Sequence, residues 1–197
     1  MEKSFHENIS SFVERNLGSV KVIWKRIAGG ITGKAVHFAS AVIGPSQGSL
    51  LEYTKPIVLN DSLIMIPLND ENEAHYVCSI LNSSIVRSII ASYTYELRME
   101  THITQFIKVP KFNRNSSNHK KLSELSKIAH RLATQGYTEE LLQVEKDIDM
   151  ITSEIYGLNN DEYQDCVKSL EILSGQFEEV IETEKNDSYL NGKRERG

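Results

Sequence analysis

The residues able to do chemistry in this chain fall into four groups, and spacing disposes of three. Gly29 to Lys34, GGITGK, follows an apolar segment as a phosphate-binding loop would. Such a loop needs a glycine five residues before Gly33 and Ser or Thr after Lys34, so that backbone amides cradle the phosphates and a hydroxyl meets magnesium. Those positions hold Ala28 and Ala35, and no Gly-x-Gly-x-x-Gly occurs. The run therefore reads as a hairpin turn. His75 and Cys78 can share a helix face, but no second pair completes a metal set, so a core or capping role is expected and no metal. The carboxylate pairs Asp147 and Asp149, and Glu178 and Glu179, lie on polar helices and are expected to be solvated. No Ser, His and acidic set, no Gly-x-Ser-x-Gly and no nuclease-like Asp followed by Glu-x-Lys stands out, so no catalytic residue is assigned.

The fourth group is basic and aromatic: Lys21, Trp24, Lys25, Arg26, Lys34, Tyr93, Tyr95, Arg98, His102, Lys108, Lys111 and Arg114. Lysine and arginine neutralise phosphates, and arginine also reads base edges. A solvated sheet carrying the same residues is the plainer alternative. The net charge of −5 argues against a nucleic-acid binder until it is divided along the chain. Residues 20 to 121 carry 12 basic and 7 acidic side chains, whereas residues 122 to 197 carry 8 and 17. The first part is built to meet an anion and the second for something else.

The elements that must hold these residues follow from periodicity. Phe5, Ile9, Phe12, Val13 and Leu17 make an amphipathic helix before Gly18. KVIWKRI (21–27) and KAVHFASAVI (34–43) read as a strand and its return, followed by a loop over 44–55 and a further strand region over 56–67 interrupted at Asn60-Asp61. Asp70 with Glu73 signals a helix start, and Asn82-Ser83-Ser84 a break within the helix. Thr101 to Phe112, THITQFIKVPKF, has the apolar content of a closing edge strand in Ile103, Phe106, Ile107 and Val109, with Pro110 barring a ladder bond.

Beyond it only helices are expected. One runs over about 119–135 and stops at Gly136; a second, capped by Thr138, carries a coiled-coil seam of Leu141, Val144, Ile148, Ile151 and Ile155; a third starts near Asn160 or Asp161. The expectation is an α/β (α+β) fold: a small mixed sheet with packed helices, then an antiparallel helical hairpin and a third helix. The divisions are an N-terminal helix over 1–19, a recognition module over 20–117, a helical spacer over 118–184 and a frayed tail over 185–197. Cys78 and Cys166 are expected as reduced core residues, and the absence of a secretory signal or a membrane span points to the cytoplasm.

Three stretches in this order, KVIWKRI, then KPIVLNDSLIMIPLNDENEAHYVCSILNSSIVRSIIASY, then THITQFIKVPKF with its leucine-rich helix, carry a resemblance. Over about residues 20 to 157 the chain resembles the C-terminal target-recognition domain of adenine-specific DNA methyltransferases, the TaqI-like specificity domains of restriction-modification enzymes. Leu81-Asn82-Ser83 and Ile107-Lys108-Val109-Pro110 look like that family's landmarks. The resemblance implies a module that binds duplex DNA and reads bases while a separate catalytic domain or subunit binds S-adenosylmethionine and methylates the adenine. All four prolines are isolated, so the family's Asn-Pro-Pro-Tyr-type motif has no place in this chain. With no cofactor of its own, the chain reads as a recognition piece and not an enzyme.

Lys25, Arg26, Lys34, Arg98, His102, Lys108 and Lys111 are the expected DNA contacts, from their positive excess and their loop positions. The acidic helices are expected to pack against this module, a methyltransferase domain or a second copy as a homodimer. A protein-interaction module displaying the helical hairpin, with no DNA role, accounts for the same seam.

Overall fold

The computed structural model describes residues 19–26, 38–44, 46–48, 54–56, 62–93 and 106–173. The helix expected before Gly18, the Gly29–Gly33 turn and the tail from 185 lie outside them. Strands β1 (Val20–Lys25), β2 (Ser40–Ile43) and β5 (Leu63–Leu68) form a sheet in the order β2-β1-β5, while β3 (Ser46–Gly48) and β4 (Thr54–Pro56) pair as a separate ribbon. Every pairing is antiparallel, with Val22 opposite both Val42 and Ile66. The segment read as a loop over 44–55 thus holds β3 and the start of β4. Three-residue strands leave too few positions for alternation to register.

Four helices follow: α1 (Glu71–Asn82), α2 (Ser84–Tyr93), α3 (Ser117–Gln135) and α4 (Thr138–Tyr156); residues 160–173 form a fifth, α5. The fold is α+β, a small sheet with packed helices. No helix among the described residues is long and apolar enough to cross a membrane.

Helix α1 starts where Asp70 accepts a hydrogen bond from the Asn72 amide at 2.9 Å, one of the donors a helix start leaves unpaired. It buries Ala74, His75, Tyr76, Cys78, Ser79, Ile80 and Leu81, more than one stripe, because it lies between the sheet and α3. The break at Ser83 is real. The Ser83 hydroxyl donates to Ile80 O at 2.7 Å and accepts from the Val86 amide at 3.4 Å, closing one helix and opening the next.

Gly136 and Gly157 stop α3 and α4 at φ 76° and 69°, where a Cβ would be strained. Thr138, expected as a cap, is instead the first residue of α4; Tyr137 holds the cap position without a side-chain bond. Helix α5 opens on a reciprocal cap, Asn159 and Glu162 each accepting the other's amide.

Leu122, Leu125, Ile148 and Ile151 of α3 and α4 join one core with Val22, Trp24, Ile80 and Ile90. Each fully buried large apolar side chain there contributes about 1.5–3 kcal/mol. The sheet and the helical hairpin share that core.

The outer edge of β2 is closed by side chains. Ser40 donates its amide to Asn82 Oδ1 at 2.7 Å and accepts from Asn82 Nδ2 at 2.9 Å, so one amide side chain pairs the backbone as a strand would. The Val42 amide donates to His130 Nε2 at 2.8 Å, and His130 Nδ1 lies 2.7 Å from Ser126 O. This fixes the neutral Nδ1–H tautomer of His130. An unpaired sheet edge is thereby covered.

Candidate nucleic-acid interface

Of the residues read as a closing strand, 101–105 lie outside the described residues, and 106–112 form no ladder. Residues 107–113 are neither helix nor strand and pair with no strand among the described residues, a correction to the edge-strand expectation. Ile107, Val109 and Phe112 pack against the core, while Lys108 and Lys111 stand out in solvent. Other anchors replace the ladder along this strap.

Phe106 stacks on Tyr93 at the end of α2, with ring centroids 4.3 Å apart. The Tyr156 hydroxyl of α4 donates to Lys108 O at 3.0 Å, and the Tyr76 hydroxyl of α1 donates to Pro110 O at 3.0 Å. The Asn113 amide donates to His119 Nδ1 of α3 at 3.0 Å, and the Arg114 guanidinium lies 2.6 Å from Asp70. Proline cannot donate, but its carbonyl accepts, which is why this site is served by a phenol.

Burial pushes the Tyr76 phenol up to about 12, helped by the neighbouring Tyr156, and burial raises Tyr156 as well. Both remain protonated donors. Burial pushes Asp70 upward, but hydrogen bonds from Arg114 and the Asn72 amide outweigh it and hold its carboxyl below the ordinary value. Burial lowers His119, in keeping with its Nδ1 acting as acceptor. Beneath the strap lies a groove of about 320 Å³ lined mainly by Ile66, Val77, Leu81, Ile107, Val109 and Phe112.

Of the expected DNA contacts, Lys108 and Lys111 are exposed on the strap, three residues apart on an anchored backbone. Lys25 and Arg26 are exposed at the end of β1, where the Arg26 amide donates to Ser62 O at 2.9 Å. Lys34, Arg98 and His102 lie outside the described residues, as does Tyr95.

Two members of the wider basic and aromatic set are not surface groups. Lys21 is 1% exposed, donates from Nζ to Ser19 O at 2.9 Å, and has its pKa lowered by burial. Trp24 is buried against Phe38. Charge type alone cannot tell the two faces of a strand apart, and Trp24 shares the inward face with Val22. Acidic charge is likewise uneven in the hairpin: α3 carries Lys120, Lys121, Lys127 and Arg131 against Glu124, while α4 carries Glu139, Glu140, Glu145, Asp147, Asp149 and Glu154 against Lys146.

No group of three or more metal-ligating side chains occurs among the described residues, and His75 and Cys78 are engaged otherwise. His75 Nδ1 lies 3.0 Å from Ser126 Oγ, and its ring meets His130 edge-on at 5.0 Å. Burial, with His130 and Lys127 nearby, lowers His75 to about 4. Cys78 is a free thiol pushed up to about 11 by burial, with Ser40 and Ser126 opposing.

Asp149 was expected in solvent and is 5% exposed. Its carboxylate accepts from the Ser84 amide at 2.7 Å, capping α2 from a different helix, and from the Tyr163 hydroxyl at 3.3 Å. Burial raises its pKa against the opposing pull of Ser84, Tyr163 and Arg87; burial also raises Glu145 beside it. The seam residues Ile148 and Ile151 flank Asp149 on α4, a signal that it borders the core. The carboxylate aims α2, and the far end of α2 carries Tyr93 to the strap.

Comparison with family models, with curated proteins and with solved structures finds no match.

Proposed function

We propose that the chain is the DNA sequence-recognition module of a restriction-modification adenine DNA methyltransferase. It holds duplex DNA for a separate catalytic domain, to which S-adenosylmethionine and the methyl transfer are assigned. The observation that carries this reading is the strap, with two exposed lysines on a backbone anchored to the helices. Lys25 and Arg26 extend the cationic rim, and the positive excess of the sequence adds Lys34, Arg98 and His102. Lysines on an anchored backbone suit phosphates, because each ammonium that meets a phosphate releases a counterion from the DNA.

The test is fluorescence anisotropy of the full chain with random-sequence duplex DNA, titrated with salt. Contact with about five phosphates gives a log–log slope of roughly −4 to −5, and changing Lys108 and Lys111 to Gln reduces its magnitude by about 2. An unchanged affinity and slope in that double variant, or in Lys25→Ala with Arg26→Ala, removes those residues from the interface. Failure of the wild-type chain to bind duplex DNA at low salt counts against the reading as a whole.

A second reading, a protein-interaction module, rests on Leu142 and Met150, large apolar side chains exposed on acidic α4. A helical face of that kind suits a catalytic subunit or a second copy. Light scattering of Leu142→Glu and Met150→Glu variants tests for self-association; loss of a wild-type dimer supports the second copy.

A further inference from the structure

Phe106 opens the strap and Tyr93 closes α2, and their rings lie 4.3 Å apart with 6° between the planes. Neither ring is enclosed: Tyr93 is 54% exposed and Phe106 46%. The mutual face anchors the strap, and each ring keeps substantial surface in water. Near-parallel rings offer flat outer surfaces on which a further planar ring can stack.

Lys108 stands exposed two residues further on, and Lys111 after it. A flat aromatic face followed along the strap by exposed lysines fits a ligand that is both planar and anionic. An aliphatic peptide offers no ring, and an acyl chain offers neither ring nor a complementary run of charge. A nucleotide offers both, its base to the rings and its phosphate to the lysines. Within an intact duplex the base faces are already covered by their neighbours, so only an unpaired base can reach the platform.

We infer that Tyr93 and Phe106 form a stacking platform for an unpaired base of the DNA strand whose phosphates meet Lys108 and Lys111. The inference rests on the DNA-binding reading and adds a ligand class to its surface. It predicts that the chain distinguishes paired from unpaired bases even where sequence is unchanged.

The test uses the full chain and two duplexes of identical flanking sequence, one with 2-aminopurine paired to thymine and one with it in a single-base bulge. The bulged duplex binds roughly tenfold more tightly, the gain expected of one base–aromatic stack, and its 2-aminopurine emission is quenched on binding. Phe106→Leu and, separately, Tyr93→Leu bring the two affinities together and abolish the quenching. Both positions are half exposed, and circular dichroism checks that each variant is folded. Binding to both duplexes with equal affinity and no quenching overturns the platform and leaves the lysine rim standing. Quenching that survives in both folded variants places the base elsewhere and also overturns it. No binding to either duplex overturns the DNA reading and this inference with it.

Discussion

Two places in the molecule solve the same problem with opposite chemistry. At the edge of β2, backbone groups are paired by neutral side chains, Asn82 from α1 and His130 from α3. At the start of α2, the Ser84 amide is paired by the carboxylate of Asp149 from α4. The strand edge presents donors and acceptors in turn, so its partner must offer both, and a charge would serve only one. A helix start presents donors alone and the positive end of the helix dipole, which favours an anion. The kind of exposed backbone thus decides whether the reaching side chain is neutral or charged.

Removing the anion breaks the comparison hardest. Asp149→Ala orphans the buried Ser84 amide and takes the acceptor from the Tyr163 hydroxyl, at a cost of about 3 kcal/mol measured by urea unfolding. Asp149→Asn keeps an acceptor and costs about 1 kcal/mol. Equal losses in the two variants make charge, and not hydrogen-bond acceptance, the decisive property.

Acid separates the two sites next. His75 sits in the neutral network beside His130, Lys127 and Glu124 with its pKa lowered to about 4. The unfolded chain takes up that proton first, so stability is full above about pH 6.5 and falls as pH drops toward 4. The loss is on the order of 3 kcal/mol. Asp149 responds the other way: burial raises its pKa, so acidification relieves part of the cost of its charge. His75→Gln flattens the stability profile between pH 6.5 and 4; a profile as steep as that of the wild type removes His75 as its cause.

Charging the neutral site costs less. Asn82→Asp loses the donor to Ser40 O and sets an anion against that carbonyl, for about 2 kcal/mol at neutral pH. Acidification restores part of this, because a protonated carboxyl can donate again. The smallest effect falls on the strap, where Tyr156→Phe deletes one bond to Lys108 O and costs about 1 kcal/mol. A loss of several kcal/mol there would make the strap part of the cooperative core rather than a segment laid upon it.

Much of this architecture was legible from residue pattern. Asp70 as a helix cap, the break at Ser83, the stops at Gly136 and Gly157 and the pairing of the first strand with its return are all local signals, and all are present. The strap was half legible. Its apolar content follows from local sequence, but its anchoring depends on Tyr76 and Tyr156, which lie 34 and 48 residues from the carbonyls they meet. Asp149 was misread because a carboxylate on a polar helix is ordinarily solvated, and only α2 and Tyr163 packing over it make it a buried cap. The exposure of Lys108 and Lys111 was legible because their charge stands out against apolar neighbours. Lys21 was overread by the same rule, since its burial is a tertiary fact.

The strap also constrains when the cationic rim can exist. Its anchors are Tyr93, Tyr156, Tyr76, His119 and Asp70, drawn from the ends or middle of four helices. Contacts between residues so far apart in sequence form late, because the entropy of closing long loops is lost before they offer any return. A chain emerging from a ribosome has made both strap lysines long before it makes Tyr156, the anchor on which Lys108 depends. The rim is therefore a property of the finished molecule, and a nascent or truncated chain has the lysines without the surface.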